Sequence, residues 1–396
     1  MIVRKTSAEN TGEVLKIIKT TGCHNYAHEK LLKKSGGNIF IIDGIDNRAA
    51  NILKQEALSC GTDAAVSEEV SRFKSGVSRV VLFGTASQIE KLILKFKEQP
   101  FGLKELADSL NNALIQKQNK IVVCGTKKIT TGKKTLVMGI INLSPDSFYG
   151  DGTEGKTVLL TKVLNMKEYG ADIIDVGAES TRPGSKPVSE KEEIKKIVKF
   201  LRLIRKKTKL PISVDTYKPA VAKAAIDEGA DIINDIYALG YDEKMADVVS
   251  KNKTGLIIMH MLGTPLTMQK NIKYEDAVFD IFKFLSDRID FAVKNGINKD
   301  SIMIDPGIGF GKTVEHNLMI IKKLSEFKSL GLPLAVGLSN KSFLSKIINA
   351  EDIKERFSAN ISANVIAALN GADILRVHNV KEIARALKVF DAVRSV

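Results

Sequence analysis

Short apolar runs recur along the second part of the chain, each followed by a polar residue and then by a longer amphipathic segment. Segments such as 190–207 and 218–229 carry apolar residues at helical spacing. The runs themselves are short and rich in Val and Ile, which is typical of strands covered on both faces by helices. Eight are predicted as β-strands: 136–142, 172–177, 211–215, 231–235, 255–260, 301–305, 333–338 and 373–378.

This repeated strand–helix order predicts an α/β fold, a (β/α)8 TIM barrel over residues 120–396. An open doubly wound sheet is the alternative architecture, but it generally uses fewer strands. Before the first barrel strand, residues 120–140 contain two short strands around a polar, glycine-containing turn, and they predict a hairpin.

Residues 1–119 predict a separate, small α/β N-terminal domain. Two apolar runs are predicted as strands and three segments as helices. A polar stretch at 116–120 is the predicted linker to the barrel. No glycine-rich phosphate loop or paired carboxylates stand out in residues 1–119, so we expect a structural or oligomer-modifying role. The predicted strands are 38–43 and 78–85, and the predicted helices are 47–60, 87–99 and 103–116.

Composition excludes several classes of protein. The formal net charge of +14 is spread along both parts of the 396 residues, without a basic arm or any Trp, so we expect no nucleic-acid partner. The three cysteines lie far apart, which argues against a disulfide framework or a zinc site. No run approaches the length of a transmembrane helix, and the start of the chain lacks an apolar signal core. We therefore expect a cytoplasmic protein with no membrane partner.

Polar side chains follow each of the eight predicted barrel strands. Because the carboxyl ends of barrel strands meet at one face, we expect these side chains to line a single pocket. A lone Asp at a strand end is often only a helix cap, but eight strands ending this way indicate a shared site. The residues are Asn142, Asp175, Asp215, Asn234, Asp235, His260, Asp305, Ser339, Lys341, Arg376 and His378.

The residue types at these positions indicate a planar heterocycle. Two carboxylates, Asp215 and Asp305, and the amide of Asn234 would be costly in one cavity without partners. Carboxylates accept hydrogen bonds from ring N–H and amino groups, while an amide both donates and accepts. Lys341 adds a donor for a ring oxygen or nitrogen. The set suits a guanine-like or pterin-like ring.

An anion site is expected beside this ring. Arg376 and His378 stand at i and i+2 of the last strand, so both side chains point to one face. Loops after the seventh and eighth strands commonly bind phosphate in such barrels, and Ser342 stands at a predicted helix start. Asn142 has a neutral acceptor oxygen that suits a Mg²⁺ ion held mainly by phosphate and water.

Two motifs invite other interpretations. GIGFGKT at 307–313 resembles a Walker A loop, but Pro306 occupies the position of that motif's first glycine, which argues against ATP binding. His260 stands between Met259 and Met261, which resembles a metal site. We favour a structural His260, with one thioether packing on a flat ring.

Taken together, the motifs MGIINLSPDSF, GAESTRPGS, SVDT, INDI, MIDPGIGFGK, SNKSF and RVH resemble the dihydropteroate synthases of the pterin-binding barrel superfamily. The resemblance covers residues 120–396. It implies condensation of p-aminobenzoate with 6-hydroxymethyl-7,8-dihydropterin pyrophosphate, which releases pyrophosphate and 7,8-dihydropteroate. It also implies a Mg²⁺ cofactor and a homodimer. Residues 1–119 resemble the extra domain that precedes the barrel in some bacterial and archaeal members.

The resemblance assigns roles to individual residues. It implies that Asp215, Lys341 and Asn142 are catalytic, with Asp215 stabilising a pterin methylene cation. The implied pterin site is Asp215, Asn234, Met259, Asp305, Lys341 and Arg376. The implied pyrophosphate site is Asn142, Arg376 and His378, with Asn142 also the Mg²⁺ ligand. The implied p-aminobenzoate site is Thr181, Arg182, Pro183, Phe310 and Ser342, with the loops SPDSFYGDG and STRPGS as lids.

Two positions depart from the family pattern and keep alternatives open. SNKSF has Asn340 where the family has Arg, and RVHNV has Asn379 where it has Asp. Loss of an arginine fork would reduce affinity for p-aminobenzoate. Folate-dependent corrinoid methyltransferases resemble the same barrel, but they need neither a pyrophosphate corner nor the TRPG loop. A non-catalytic pterin-binding scaffold is a third reading, disfavoured because Asp215, Asn142 and Lys341 are present.

Overall fold

The computed structural model describes residues 1–6, 8, 11–35, 37–115, 120–143, 153–180, 185, 187–350, 352 and 355–394. The chain divides into two compact units. The first comprises Met1–Lys117 together with Ser325–Gly331, and the second comprises Gln118–Leu324 and Leu332–Val396. The short segment Ser325–Gly331 was not anticipated, since the sequence pattern assigned it to the barrel.

The first unit is built on a four-stranded antiparallel sheet of order β1-β2-β4-β3. Its strands are β1 (Ile2–Thr6), β2 (Asn38–Asp46), β3 (Asp63–Ala65) and β4 (Val77–Gly84). Its helices are Thr11–Lys19, Asn25–Lys34, Asn47–Ser59, Glu68–Ser71, Ala86–Phe96 and Leu103–Ile115. The predicted strands and helices of residues 1–119 are present. The strands β1 and β3 were missed because one mixes apolar and charged residues and the other has three residues.

A buried ion network lies inside the first unit. Arg4 on β1 donates through Nη1 to the Oε2 atom of Glu326 at 2.9 Å, and the Thr6 hydroxyl donates to the other carboxylate oxygen of Glu326. Lys5 donates its backbone N–H to the hydroxyl of Ser329 at 2.8 Å. Asp43 on β2 lies 3.8 Å from Arg4 Nε. The segment Ser325–Gly331 is thus held to β1 by charged and polar bonds.

The second unit is the predicted barrel. All eight predicted strands are present and run parallel in the order β12-β11-β10-β9-β8-β7-β14-β13, and a parallel bridge from Ile304 to Leu334 closes the ring between β12 and β13. The strands are β7 (Leu136–Asn142), β8 (Ile173–Gly177), β9 (Ile212–Asp215), β10 (Ile232–Asp235), β11 (Gly255–Met259), β12 (Ile302–Asp305), β13 (Ala335–Gly337) and β14 (Ile374–Val377).

Helices surround these strands. The α-helices of this unit are Thr153–Glu168, Glu190–Arg205, Pro219–Asp227, Lys244–Asn252, Ala277–Lys294, Val314–Lys322, Ser342–Ile348, Arg356–Leu369 and Val380–Arg394, with a 3-10 turn at Lys299–Ser301. The short helix Leu324–Phe327, apart from Leu324, and the 3-10 turn Lys328–Leu330 belong to the segment of the first unit. Across the residues that the structure describes, no helix combines the length and the apolar character needed to cross a bilayer.

The barrel interior is apolar at the amino ends of the strands. Residues from seven strands meet there with the predicted hairpin, β5 (Lys120–Cys124) and β6 (Lys127–Thr131). Because side chains alternate along a strand, the residues two positions beyond these core positions also face inward, at the carboxyl ends. The core members are Val122, Cys124, Ile129, Leu136, Met138, Ile173, Ile232, Ile257, Met303, Ala335 and Ile374.

Candidate active site

Four neighbouring strands place one row of positions at the carboxyl ends. In the parallel register, Asn142 of β7 lies opposite Gly177 of β8, Gly177 opposite Asp215 of β9, and Asp215 opposite Asn234 of β10. Asn234 stands two residues beyond the core residue Ile232, so the row faces the barrel interior. Gly177 leaves a gap in it, since a Cβ there would lie 3.8 Å from Asn142 Oδ1 and 3.9 Å from Asp215 Oδ2.

Arg376 joins two buried carboxylates inside the barrel. Its Nε donates to Asp175 Oδ2 and its Nη2 donates to Asp215 Oδ2, each at 2.6 Å. Asp175 is fully buried. Burial raises the pKa of Asp215 to about 7; the Arg376 charge opposes this shift and the Asp175 charge adds to it. The site therefore holds two acids and one fixed cation.

Lys341 and Phe310 meet on the opposite wall. The Lys341 ammonium lies 4.0 Å from the centroid of the Phe310 ring, within the range of a cation–π contact. The stem of Lys341 lies against the backbone at Gly309, where φ is +81° and a Cβ would come within 3.0 Å of Lys341 Cδ. Glycine is therefore required at 309 both for the backbone conformation and for the approach of this lysine.

Asp305 is fixed at the end of β12. Its Oδ1 atom accepts the backbone N–H of Gly307 at 2.7 Å. Burial raises the pKa of Asp305, against the opposing effects of that bond and of Lys341, Arg376 and Lys312. A Cβ at Gly307 would lie 1.9 Å from the carbonyl oxygen of His260. The GIGFGK loop thus packs closely on the neighbouring strand end.

His260 and Lys312 form a buried pair behind this loop. The Lys312 ammonium lies 3.0 Å from His260 Nδ1 and donates to the carbonyl of Phe310 at 3.0 Å. The His260 ring meets Phe284 edge-on, with centroids 4.9 Å apart. Burial, with the nearby Lys312 charge, lowers the pKa of His260 to about 2, so its ring is a neutral acceptor. These contacts support the structural interpretation of His260.

His378 is held at the other side of the site. Its backbone N–H donates to the Ser339 hydroxyl at 3.2 Å, and its Nδ1 lies 3.1 Å from the same hydroxyl. Asn360 also donates to Ser339, at 3.4 Å. The Nε2 atom of His378 lies 3.5 Å from the Nδ2 atom of Asn142. Ser339 therefore sets the orientation of a ring that reaches the first barrel strand.

Three further residues near the strand ends differ in their local setting. Asp235 accepts the backbone N–H groups of Tyr237 and Leu239, at 2.9 and 2.8 Å, so it stabilises the turn after β10. Ser342 is exposed at the first residue of the helix Ser342–Ile348. Asn340 has φ +60°, a left-handed conformation that Asn adopts more readily than other residues with a side chain. This conformation gives a backbone reason for the departure from arginine.

Several predicted residues lie outside the described residues. Thr181, Arg182 and Pro183 belong to them, as do 144–152 of the loop SPDSFYGDG. The described pterin-site residues Asp215, Asn234, Met259, Asp305 and Arg376 are buried or half-buried at the strand ends, with Lys341 half-buried after β13.

Sequence reasoning gave no role to Asp175 or Ser339, although it noted both at strand ends. Side-chain alternation could have indicated Asp175, which lies two residues before the inward-facing Gly177. No sequence signal would have shown that Arg376 reaches it from β14, across a separation of 201 residues.

Comparisons with known proteins agree with this geometry. A family model described as pterin binding enzyme matches residues 138–378. The dihydropteroate synthase of Synechocystis sp. is 41% identical over 264 residues, 66% of this chain and 91% of that protein. A structure of Xanthomonas albilineans dihydropteroate synthase with 4-aminobenzoic acid has a TM-score of 0.65 and 36% identity, and the match covers 70% of this chain and 99% of that one.

A third relative extends beyond the barrel. A probable bifunctional folylpolyglutamate synthase/dihydropteroate synthase of Haloferax volcanii is 35% identical over 363 residues, which cover 88% of this chain and 42% of that protein. The match therefore reaches into the first unit. Because the family model spans the strand-end residues from Asn142 to His378, and relatives of this similarity are dihydropteroate synthases, this chain belongs to the pterin-binding enzyme family, among its dihydropteroate synthases.

Proposed function

We propose that this chain is a dihydropteroate synthase, which joins 6-hydroxymethyl-7,8-dihydropterin pyrophosphate to p-aminobenzoate and releases pyrophosphate and 7,8-dihydropteroate. The observation that carries the proposal is the row Asn142–Gly177–Asp215–Asn234 at the carboxyl ends of the strands, with Arg376 of β14 bonded to Asp215. The named relatives support it, and so does the aminobenzoic acid in the Xanthomonas structure.

The pterin ring would bind edge-on to the buried acids and amide. Asp215 and Asp305 would accept from the ring N–H and amino groups, and Asn234 would pair with both kinds of atom. Lys341 would donate to the ring carbonyl or a ring nitrogen. The thioether of Met259, which is buried at the end of β11, would pack against one ring face.

The pyrophosphate would lie between Arg376, His378 and Asn142. The Nε and Nη2 atoms of Arg376 already donate to carboxylates, so the guanidinium cannot rotate freely and its remaining N–H groups have a fixed direction. Ser339 fixes the His378 ring in the same way. An arginine and a histidine held by neighbours present donors without further ordering when the anion binds.

Asn142 is the residue that would hold a Mg²⁺ ion. Its amide oxygen is a hard ligand at the exposed strand end, and it points toward the gap at Gly177 rather than toward His378. Within the described ranges, no three His, Cys, Asp or Glu side chains come together as a metal site. We therefore propose Asn142 as the protein ligand, with the remaining ligands from pyrophosphate and water. The ion would neutralise charge on the leaving pyrophosphate.

The chemical step needs no protein nucleophile. The bond between the methylene carbon and the pyrophosphate oxygen breaks, and pyrophosphate leaves with the electron pair. Asp215, ionised and close to the ring, stabilises the positive charge on the pterin methylene. The neutral amine of p-aminobenzoate then forms the new C–N bond and loses a proton. Lys341 and Asn142 act by holding the ring and the pyrophosphate.

The second substrate, p-aminobenzoate, would lie against Phe310, whose ring also makes the cation–π contact with Lys341. Thr181, Arg182, Pro183 and Ser342 remain proposed members of this subsite. Phe310 supplies a flat apolar surface for the benzene ring.

We also propose a homodimer. Three helices that contact one another, Val314–Lys322, Ser342–Ile348 and Arg356–Leu369, expose apolar side chains. A second copy of the chain would cover this face. The residues are Leu318, Met319, Ile347, Ile366 and Leu369, exposed by 46%, 50%, 46%, 47% and 70%.

Leu369→Glu should give a monomer in light scattering, whereas Val158→Glu, at an exposed position on another helix, should leave the dimer intact. Equal masses for both variants would contradict this interface.

The catalytic proposal is tested with Asp215→Asn. This change keeps the shape of the side chain but removes the charge that faces the methylene group. Turnover should fall by at least about a hundredfold, as for the loss of one electrostatic stabiliser, while the affinity for p-aminobenzoate changes little. If turnover and the affinity for p-aminobenzoate fell by the same factor, the role of Asp215 in stabilising the methylene cation would be contradicted. Methyl transfer to a corrinoid protein, with no dihydropteroate formed, would favour the methyltransferase instead.

A further inference from the structure

The three residues that follow Asp215 in the sequence connect to one buried cluster of charges. Thr216 bonds to Glu193, and the Tyr217 hydroxyl donates to Glu179 Oε1 at 2.8 Å. The Lys218 ammonium donates to Glu179 Oε2 at 2.6 Å and to Glu193 Oε2 at 2.7 Å. The strand end that carries Asp215 is therefore bonded directly to two acids from the previous strand–helix unit.

The same cluster binds both ends of the segment 179–188, at Glu179 and at Val188, while 181–184 and 186 lie outside the described residues. Glu179 Oε2 accepts the backbone N–H of Val188 at 2.9 Å, and the Lys218 ammonium donates to the carbonyl of Val188 at 2.6 Å. Both backbone groups of Val188 are thus bonded to the cluster. The hydroxyls of Ser180 and Ser185 lie 3.0 Å apart between these points. Glu179 and Val188, the first and last residues of this segment, are therefore held beside the same lysine, Lys218.

The cluster is buried, which makes its bonds costly to break. The side chains of Lys218, Glu179 and Glu193 are only 5%, 8% and 2% exposed. Burial by itself would lower the pKa of Lys218, but its bonds to the two carboxylates raise it overall, so the lysine stays charged. Removing one partner of such a group leaves a buried charge without compensation.

We propose that Lys218, Tyr217 and Glu179 form a clamp of positioning residues, which fixes both ends of the segment 179–188 to the strand that carries Asp215. The functional part of this inference rests on the proposed function, in which that segment contributes to the p-aminobenzoate site and Asp215 to the pterin site. The clamp sets the distance between the two substrates, so it governs use of the second substrate more than binding of the first.

The test uses the full-length protein with Lys218→Met and Tyr217→Phe. The matched control is Lys223→Met, at an exposed lysine that pairs with the exposed Asp227 four residues later on its helix. Hydrogen–deuterium exchange should show at least tenfold faster exchange in the peptide containing Val188 for Lys218→Met, with a smaller change for Tyr217→Phe and none for the control. This readout does not depend on activity.

Kinetics test the functional part. For Lys218→Met, the KM for p-aminobenzoate should rise at least tenfold while the Kd for the pterin pyrophosphate, from calorimetry, stays within about twofold. Tyr217→Phe should raise the same KM about threefold, the value of one hydrogen bond. If Lys218→Met does not fold, the KM of Tyr217→Phe for p-aminobenzoate tests the inference in its place. Equal weakening of both substrates, or an unchanged KM in a folded variant, would overturn the inference. Absence of turnover in the unmodified protein would instead contradict the proposed function.

Discussion

The ammonium of Lys341 lies 4.0 Å from the centre of the Phe310 ring. The first residue is assigned to the pterin and the second to p-aminobenzoate, so this contact joins the two halves of the site. Gly309 permits it, because the stem of Lys341 occupies the space that a side chain at 309 would fill.

Phe310→Leu should therefore affect both substrates, but unequally. It removes the flat surface under the benzene ring and the π-face under the ammonium, while keeping an apolar side chain of similar size. We expect the KM for p-aminobenzoate to rise about tenfold and the affinity for the pterin pyrophosphate to fall about threefold, from the usual strength of such contacts. Steady-state kinetics with each substrate varied in turn measure both. An unchanged pterin affinity would show that the contact with Lys341 contributes nothing.

Asp175 should control the pH at which Asp215 ionises. The pKa of Asp215 is raised to about 7, and the ionised form is the active one, so the rate should fall as the pH drops below this value. Asp175→Asn leaves Arg376 with one carboxylate instead of two, which favours ionisation of Asp215. The acidic limb of the pH–rate profile should move by about one unit to lower pH. The exposed Asp247, changed to Asn, is the control. If the acidic limb moved to higher pH or stayed in place, the influence of Asp175 on the ionisation of Asp215 would be refuted.

Ser339→Ala should weaken the pyrophosphate corner. The hydroxyl of Ser339 orients His378 through the ring and the backbone, so its loss frees the ring to rotate. We expect kcat/KM for the pterin pyrophosphate to drop about tenfold, as for the loss of both hydrogen bonds to His378, with no change in the KM for p-aminobenzoate. Ser362→Ala, on the exposed face of a barrel helix, should change neither value. A rise in the p-aminobenzoate KM alone would place Ser339 in the other subsite.

Arg4→Met should destabilise the protein strongly. The change leaves the carboxylate of Glu326 buried without its cation, and breaking a buried pair in this way typically costs about 3–5 kcal/mol. Arg72→Met breaks an exposed pair with Glu68 and should cost less than about 1 kcal/mol. Denaturant unfolding of the two variants measures the difference. Similar losses would mean that the bond between β1 and the segment Ser325–Gly331 adds little.

Sequence patterns were sufficient for the barrel because each strand carries its own signal. The predicted apolar runs 172–177 and 301–305 end at the same residues as the observed strands β8 and β12 and begin one residue before them. Side-chain alternation then separates Asn234, which faces the pocket, from Asp235, which stabilises a turn. The bulk of the candidate site follows from this alternation and from the residue types.

Contacts across long separations could not be predicted in this way. Arg4 and Glu326 are 322 residues apart, and the segment around Glu326 looks like any polar connection between a helix and a strand. The ion pairs of Lys218 could not be predicted either, because its partners Glu179 and Glu193 belong to another strand–helix unit. Nothing in a single lysine indicates whether it will be solvated or buried between two acids.

The most direct measurement is product formation by the unmodified protein. It is incubated with Mg²⁺, the pterin pyrophosphate and p-aminobenzoate, and the mixture is separated by chromatography with mass detection. We predict 7,8-dihydropteroate and pyrophosphate in equal amounts, no dihydropteroate when p-aminobenzoate is omitted, and almost no dihydropteroate with Asp215→Asn. Binding of the pterin pyrophosphate without any dihydropteroate would contradict the account and leave a pterin-binding barrel that does not catalyse this condensation.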